Sequence, residues 1–253
     1  MYCIQVGIPI YRQSLYQVQK CIDSCIEQAD CLVTVRLDGL NACTDDVLEY
    51  LESICIAHKN IRLIHGELRL GSYGSLNRIF ETSNTPYICQ LDADDMLAPK
   101  ALGLCINCLK HNANTSFLYT DCIEIDSNGT PLGLGNRSLV EFTDMKSLIQ
   151  FITFHLRVIR RSSFEEVGGY DSKLQFTGDY DISLKLGEVG EVFYLNRPLY
   201  YYRVHDSNAS FANFDLLNSE VLSICKSALS RRGLSSIFTL IQGKDGEMTI
   251  VQR

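Results

Sequence analysis

The sequence predicts an α/β fold in which helices flank a mostly parallel central sheet. Short apolar segments alternate with longer segments of helical periodicity through residues 1–125. A strand–helix–strand order of this kind places consecutive strands parallel to each other through right-handed crossovers. Turn signals between short alternating segments near the C-terminal end of the sequence predict a small additional antiparallel sheet.

The first half of the chain follows the order βαβαβαβ. Its apolar strand segments are residues 4–8, 31–35, 61–64 and 87–91. Between them, apolar residues recur at three- or four-residue steps, as Leu15, Val18 and Ile22 do in the first interval. This spacing is typical of amphipathic helices that cover a sheet.

The second half is less regular. The predicted elements are a strand at 117–125, a turn at 126–129, a helix at 145–151, a loop at 168–171, a helix from about 178, either a strand pair or one bent strand at 191–203, a helix at 215–229 and a hairpin around 242–246. No linker, repeat or low-complexity segment divides the chain, so we expect one compact unit.

Bulk composition narrows the function classes. The 253 residues carry a formal net charge of −7, which argues against nucleic acid as a partner because phosphate binders need clustered Lys and Arg. The eleven cysteines are spread over predicted strands and helices and predict reduced, buried thiols. The first residues enter a strand directly, and no apolar run approaches the roughly 20 residues that span a bilayer, so we expect a cytoplasmic protein.

Three carboxylates, Asp92, Asp94 and Asp95, stand at the end of the apolar strand segment 87–91. The next basic residue is Lys100, so nothing local neutralises these acids. Unpartnered carboxylates at a buried strand end are costly, and Mg²⁺ and Mn²⁺ prefer carboxylate oxygen. The segment therefore predicts a divalent-metal site. The alternative is an acidic helix start, with Asp95 beginning a helix that includes Pro99.

Polar residues also follow the other predicted parallel strands. Pro9 and Tyr11 follow the first strand and Asp38 follows the second. Ligands of open α/β sheets bind beyond the carboxyl ends of the strands. We therefore expect these residues and the segment 92–95 to surround one crevice.

Seven short motifs occur in a characteristic order. They are residues 8–11, 37–39, 70–71 with Asn77, 91–95, 168–171, 179–181 and 202–205. On these motifs the chain resembles the family 2 glycosyltransferases of GT-A fold, from about Val6 to Ser210. The resemblance implies a nucleotide-sugar-binding half at 1–125, an acceptor-binding half at 126–210 of the same domain, and a C-terminal helix and hairpin at 211–253.

The resemblance implies a UDP-sugar donor held with Mg²⁺ or Mn²⁺. Asp94 matches the direct metal ligand, Asp92 lies nearer the ribose, and His205 matches a late histidine of the family that completes the metal shell or contacts diphosphate. His205 is equally explained as a polar loop residue. The remaining implied donor-binding residues are Pro9, Tyr11, Asp38, Arg69, Gly71, Asn77 and Ala93.

Individual donor residues depart from the family or have second explanations. Asp38 matches the acid that accepts from the uracil N–H, although the family usually has two acids there and this chain has Leu37 first. Tyr11 offers a flat face for stacking on the base, beside Pro9. Arg69 can pair with diphosphate or lie in solvent.

The resemblance assigns catalysis to Asp179. Inversion in one displacement requires a base that takes the acceptor's proton, and a carboxylate within hydrogen-bond reach can do so. The family pattern is Glu-Asp, whereas this chain has Gly178 before Asp179, which suggests an altered or smaller acceptor group. The alternative is an acidic helix N-terminus, and the two roles are compatible.

The acceptor is not identified by sequence. His155 and Arg157 are the polar candidates for its pocket, and Arg157, Arg160 and Arg161 form either a contact for an anionic lipid carrier or donor phosphate, or a solvated surface. Peripheral contact with the inner face of a membrane is a further expectation. A sugar-phosphate nucleotidyltransferase and a catalytically silent nucleotide-sugar-binding protein remain as alternative functions.

Overall fold

The computed structural model describes residues 2–135, 137, 139–204 and 213–253. The strands are β1 (Ile4–Ile10), β2 (Cys31–Asp38), β3 (Ile61–Gly66), β4 (Tyr87–Gln90), β5 (Met96–Leu97), β6 (Thr115–Ile125), β7 (Pro131–Leu134), β8 (Arg157–Arg160), β9 (Glu191–Arg203), β10 (Phe238–Gln242) and β11 (Met248–Gln252). The helices are α1 (Leu15–Ile26), α2 (Asp45–Ala57), α3 (Gly71–Phe80), α4 (Ala101–His111), α5 (Arg161–Glu166), α6 (Gly178–Val189) and α7 (Phe214–Arg231), with a 3-10 turn at Lys146–Leu148.

One large sheet organises the described residues. Its strand order is β3-β2-β1-β4-β8-β6-β9-β5, and β7 pairs with β6 off this path. Strands β3, β2, β1 and β4 are parallel, whereas β8 joins β4 and β6 in antiparallel pairing and β9 returns parallel to β6. A separate antiparallel pair forms from β10 and β11. The predicted α/β class with a small extra antiparallel sheet is confirmed.

The parallel strands owe their positions to apolar residues on both faces. Ile4, Val6 and Ile8 of β1 are fully buried, as expected of a central strand that helices cover on both sides. The helix α1 begins with a capping box in which Ser14 and Gln17 satisfy each other's backbone N–H groups. The apolar strands and the capping box are local features of the sequence. They explain why the strands and helices in the first half of the chain could be predicted accurately.

The structure decides between two pairs of alternatives and corrects one predicted element. The residues after the acids form the short strand β5, paired with Tyr200 and Tyr201, so the alternative of a helix starting at Asp95 is wrong. The helix predicted at 145–151 is reduced to the single 3-10 turn. Segment 191–203 is one strand, β9, with register shifts against β6, which confirms the bent-strand alternative.

The eleven cysteines are all free thiols. Seven of them are buried, including Cys21, Cys25 and Cys89, which confirms their prediction as small core residues. A separate apolar cluster joins α7 and the β10–β11 hairpin to α6 through residues such as Leu184, Ile224 and Leu240. The C-terminal segment is therefore packed directly on the helix that begins at Gly178. Among the described residues, no helix combines the length and apolar character needed to cross a membrane.

Candidate active site

A cleft of about 640 Å³ opens at the carboxyl ends of β1, β2 and β4. Its lining residues are Pro9, Tyr11, Arg12, Gln13, Gln17, Asp38, Ser72, Tyr73, Gln90, Asp92, Ala93, Asp94, Asp95, Gln175, Phe176, Asp179 and Tyr202. The predicted crevice therefore exists. It joins the segment 92–95 to Asp179, which lies more than eighty residues later in the sequence.

A second cavity of about 730 Å³ lies along the outer edge of β3. It is mostly apolar, with Cys55, Ile56 and Leu63 in its wall and Glu52 as its one carboxylate. Because catalytic sites need converging polar groups, we place the functional site in the smaller cleft.

The three acids after β4 have different surroundings. Asp95 is buried and accepts hydrogen bonds from the Tyr200 hydroxyl and the Arg203 backbone N–H, both at 2.7 Å. Burial and the neighbouring carboxylates raise its pKa well above the ordinary range. Asp94 is half-buried in the cleft wall, while the Arg203 guanidinium donates to its backbone carbonyl at 2.7 Å. Asp95 thus anchors the turn that presents Asp94.

Asp92 is a second perturbed acid at the cleft, and its side chain is more exposed than that of Asp95. Partial burial and the nearby Asp94 carboxylate raise its pKa to about 6, although Gln90 donates a hydrogen bond to its Oδ1 at 2.8 Å. His155 Nε2 lies 3.5 Å from Asp92 Oδ2. Concentrated negative charge of this kind favours a bound cation.

His155 lies behind the acids rather than in the cleft wall. It is buried and stacks on Tyr200 with ring centroids 4.5 Å apart. Burial, with Arg157 and Arg137 nearby, lowers its pKa well below the ordinary value, so the imidazole is neutral. The ligand atoms of Asp92, Asp95 and His155 lie within 4.8 Å of one another. His205, predicted as a metal ligand, lies outside the described residues.

Asp38 connects β2 to the start of α3. Its Oδ1 accepts from the Arg36 guanidinium at 2.8 Å, from the Leu70 N–H at 2.7 Å and from the Ser75 hydroxyl at 2.9 Å. Its Oδ2 accepts from the Gly71 N–H at 2.9 Å. The carboxylate thereby caps a helix that has no capping side chain of its own. Asp38 borders the cleft with most of its hydrogen-bonding capacity already used.

Tyr11 forms an aromatic floor at the same end of the cleft. The Arg69 guanidinium carbon lies 3.8 Å from the centre of the Tyr11 ring, and the Arg12 guanidinium carbon lies at 5.1 Å. Cation–π contacts of this kind are favourable and help to fix the orientation of the ring. Arg69 therefore acts on the cleft through Tyr11, while Pro9 and Tyr11 line it directly.

Besides Arg69, two further predicted donor residues are not part of the cleft wall. Asn77 donates to the Tyr170 carbonyl at 2.8 Å and accepts from the Tyr170 N–H at 3.0 Å, so its amide fixes the loop after α5. Gly71 has a positive φ of 74° and contributes its N–H to Asp38. Both residues shape the elements around the cleft.

Asp179 stands in the first turn of α6 and faces the cleft with 14% of its side chain exposed. Its Oδ1 accepts from the Tyr180 N–H at 2.9 Å and from the Tyr73 hydroxyl at 3.3 Å. Its Oδ2 accepts from the Arg157 guanidinium at 3.3 Å. Contacts from α3, β8 and α6 therefore fix the orientation of one carboxylate.

The glycine before Asp179 has a steric explanation. A Cβ added to Gly178 would lie 2.5 Å from the Tyr73 ring, well inside van der Waals contact. Any side chain at 178 would displace Tyr73, which donates to Asp179. The departure from the family's Glu-Asp pattern therefore coincides with a tyrosine that occupies the adjacent space.

The arginines at 157, 160 and 161 do not form one basic surface. Arg157 is buried, donates to the Thr153 and Phe154 carbonyls and pairs with Asp179. Arg160 donates to carbonyls at the end of α4, and Arg161 pairs with Glu165 on the surface. Arg157 and Arg160 are three residues apart on β8 and face opposite sides of the sheet, and Arg161 begins α5, so the expectation of a shared cluster is wrong. Arg157 does not line the cleft and contacts it through Asp179.

Several cleft residues were missed by the sequence reasoning. Tyr73 lies in the first turn of α3, and Gln175 and Phe176 precede α6 in a segment without a recognisable pattern. The motif at 70–71 lies beside Tyr73, and that proximity is the one signal that could have pointed to it. The contacts of Gln175 and Phe176 depend on the C-terminal helix and have no local signature.

Comparisons with known proteins agree with this geometry. A sequence model described as "Glycosyl transferase family 2" matches residues 5–168. The chain is 27% identical over 235 residues to a chondroitin synthase of Pasteurella multocida, covering 92% of this chain and 24% of the relative. It is 28% identical over 233 residues to a chondroitin synthase of Escherichia coli, covering 91% and 33%. The chain thus spans a quarter to a third of the length of these relatives.

Solved structures of similar fold include S. aureus TarS. Its crystal structure matches with a TM-score of 0.70 and 16% identity, covering 90% of this chain and 40% of TarS. Residues 1–349 of TarS in complex with UDP-GlcNAc match with a TM-score of 0.72 and 15% identity, covering 90% and 66%. At this level of identity the likeness shows the fold, and it agrees with the predicted architecture.

Proposed function

The chain belongs to glycosyl transferase family 2, and we propose that it transfers a sugar from a UDP-sugar to an acceptor hydroxyl with inversion at the anomeric carbon. The observation that carries the proposal is the cleft itself. Asp92 and Asp94 line one part of it, and the oriented carboxylate of Asp179 lines another. A transferase needs both groups facing one bound donor and acceptor.

The donor half of the proposal assigns residues 1–125 to the nucleotide-sugar. Tyr11 and Pro9 would border the base, and Asp92, with Ala93, would lie near the ribose and sugar. TarS, whose fold is similar, has been crystallised with UDP and with UDP-GlcNAc, which supports a UDP-sugar as donor. Asp38 would read the uracil N–H through the remaining acceptor capacity of its Oδ2.

The side chains at the end of β4 fit a hard divalent cation. Asp92 and Asp94 supply carboxylate oxygens, and burial together with the neighbouring Asp94 carboxylate raises the pKa of Asp92, so a cation beside it would stabilise its ionised form. We propose Asp94 as the direct ligand of Mg²⁺ or Mn²⁺, with Asp92 and the neutral His155 as neighbouring donors and His205 completing the shell. The bound cation would stabilise the charge that develops on the leaving diphosphate.

The proposed chemistry is a single displacement. The acceptor oxygen forms a bond to the anomeric carbon, the bond from that carbon to the UDP oxygen breaks, and UDP leaves with the electron pair. Asp179 takes the proton of the acceptor hydroxyl. Arg157 and Tyr73 hold the carboxylate toward the cleft, which keeps it within reach of the acceptor.

We assign the acceptor to residues 126–210, where α6 and the segment before it meet the cleft. His155 and Arg157 act there through Asp92 and Asp179, because both are buried behind the cleft wall. The chondroitin synthases are much longer proteins, so their acceptors are not transferred to this chain. A cytoplasmic location and peripheral membrane contact remain predictions of the sequence.

A thermal-shift panel tests the donor assignment. UDP-, GDP- and dTDP-sugars are each added with and without Mn²⁺, because a ligand that binds only the native state raises the melting temperature. We expect the largest increase from a UDP-sugar with Mn²⁺. Equal increases without Mn²⁺, or a preference for GDP- or dTDP-sugars, would contradict the proposal.

A further inference from the structure

Helix α6, which carries Asp179, begins without a capping hydrogen bond from its N-cap residue. Thr177 occupies the N-cap position, and its hydroxyl makes no capping hydrogen bond to the helix. The first backbone N–H groups of a helix lack intrahelical partners, and an uncapped start is less stable. The start of this helix must nevertheless be well positioned, because Asp179 is only two residues beyond Thr177.

Helix α7 instead holds the segment that immediately precedes α6. Glu220 Oε1 accepts from the Gln175 N–H at 2.8 Å, and its Oε2 accepts from the Phe176 N–H at 3.0 Å. The Thr177 hydroxyl donates to the same Oε2 at 3.0 Å. Glu220 is 9% exposed, so one buried carboxylate holds three consecutive residues.

This segment is part of the cleft. Gln175 and Phe176 line it together with Asp179 and Tyr73. The Gln175 side chain is exposed and the Phe176 side chain is half-buried, so both are accessible to a bound ligand. The position of these two residues is therefore set by a side chain that lies more than forty residues later.

We propose that Glu220 is a positioning residue for the acceptor side of the reaction. By fixing residues 175–177 and the first turn of α6, it sets the distance between Asp179 and the acceptor hydroxyl. The role rests on the proposed function, in which Asp179 is the base. It also gives the C-terminal helix and hairpin a task in transfer, beyond packing against α6.

A carboxylate suits this position better than an amide. All three groups that contact Glu220 are donors, and a carboxylate accepts through both oxygens. Hydrogen bonds to an ionised acceptor are the stronger kind, and negative charge is favourable at a helix N-terminus. In Glu220→Gln, the new NH₂ group would face a backbone N–H, so one contact becomes a repulsion between donors.

The test compares Glu220→Gln with Glu188→Gln. Glu188 lies on α6 and pairs with Arg231 of α7, so it contributes to the same helix interface without touching residues 175–177. We expect Glu220→Gln to lower kcat for transfer about tenfold or more, the scale for a displaced catalytic group, with the donor KM within about twofold of wild type. Glu188→Gln should keep wild-type kcat.

Equal kcat values for the two variants, or a Glu220→Gln loss confined to the donor KM, would overturn the proposal. Amide hydrogen exchange provides a readout independent of transfer and usable on the wild-type chain. The Gln175 and Phe176 amides should be protected in wild type and in Glu188→Gln, and should exchange faster in Glu220→Gln. Rapid exchange at both amides in wild type would refute the contact itself. If wild type shows this protection but no transfer, the proposed function fails while the Glu220 contact stands.

Discussion

The two ends of the cleft, which we propose bind the donor (the donor end, at the end of β4) and the acceptor (the acceptor end, at Asp179), are built differently. At the donor end, Asp92, Asp94 and Asp95 are close in sequence and follow one strand of the parallel sheet. At the acceptor end, Asp179 receives hydrogen bonds from Arg157 on β8 and Tyr73 on α3. The positions of the carboxylates at the donor end are therefore determined by a local motif, whereas the position of the carboxylate at the acceptor end is determined by contacts between distant segments.

This difference has a physical origin. The carboxyl ends of parallel strands meet at one edge of the sheet, so any polar residue that follows such a strand reaches the crevice. The acceptor end lies where the sheet becomes mixed and a helix start must be oriented by neighbours. At the donor end, the residues that follow a strand are enough to bring polar side chains to the crevice. At the acceptor end, the positions of the side chains depend on packing between distant segments.

The largest expected effect is at the acceptor end. Asp179→Asn keeps the shape of the side chain and removes its ability to take a proton, so transfer should fall at least about a hundredfold. The measurement is the steady-state rate of sugar transfer. The matched control is Asp181→Asn on the same helix, where the carboxylate pairs with Lys185. Wild-type transfer in Asp179→Asn would refute the base assignment.

The corresponding test at the donor end is Asp94→Ala. Loss of the proposed ligand should weaken Mn²⁺-dependent UDP-sugar binding at least about tenfold, since even indirect partners of metal ligands have effects of that size. Calorimetric titration with and without Mn²⁺ measures this. The exposed Glu81→Ala provides a control, because that carboxylate pairs with Arg78 on the surface of α3 and does not line the cleft. Undiminished Mn²⁺ dependence in Asp94→Ala would place the cation elsewhere.

Acidic pH should weaken cation-dependent binding at the donor end of the cleft. With a pKa of about 6, the Asp92 carboxyl is mostly ionised at pH 7 and mostly protonated at pH 5. A cation site requires ionised ligands, so Mn²⁺-dependent donor affinity should fall by about tenfold as pH drops from 7 to 5. In Asp92→Asn this part of the pH dependence should disappear. Donor affinity that is constant down to pH 5 in wild type would argue against this prediction.

The smallest effect is expected from Tyr73→Phe. The substitution removes one hydrogen bond of 3.3 Å to Asp179 and keeps the ring that packs beside Gly178. Loss of one hydrogen bond of about 1 kcal/mol corresponds to roughly a fivefold reduction in kcat, with donor binding unchanged. The rate ratio to wild type at saturating donor is the measurement. A larger loss than that of Asp179→Asn would mean that Tyr73 itself reacts.

The same contrast explains how far the sequence could be interpreted. The βαβ half, the crevice and its acids were predicted because periodicity and strand ends are local properties. Arg157 was placed with Arg160 and Arg161, since sequence proximity does not reveal which face of a strand is buried. Neither Tyr73 nor Glu220 could be assigned a role, because each acts on a segment far away in the chain.

The departures from the family pattern also became interpretable only in three dimensions. Gly178 is required by the Tyr73 ring, a relation between residues more than one hundred positions apart. Leu37 is buried beside Asp38, so the acid that the family usually has there would face the core. Both departures are consistent with a cleft that retains its two carboxylate groups.

The most direct test of the central claim is an experimental structure of Asp179→Asn with a UDP-sugar and Mn²⁺, in which turnover is slow enough to preserve the donor. We expect Mn²⁺ on the Asp94 carboxylate, the diphosphate beside it, and the sugar directed toward residue 179. A nucleotide bound outside the cleft, or a cation held away from the residues that follow β4, would contradict the account.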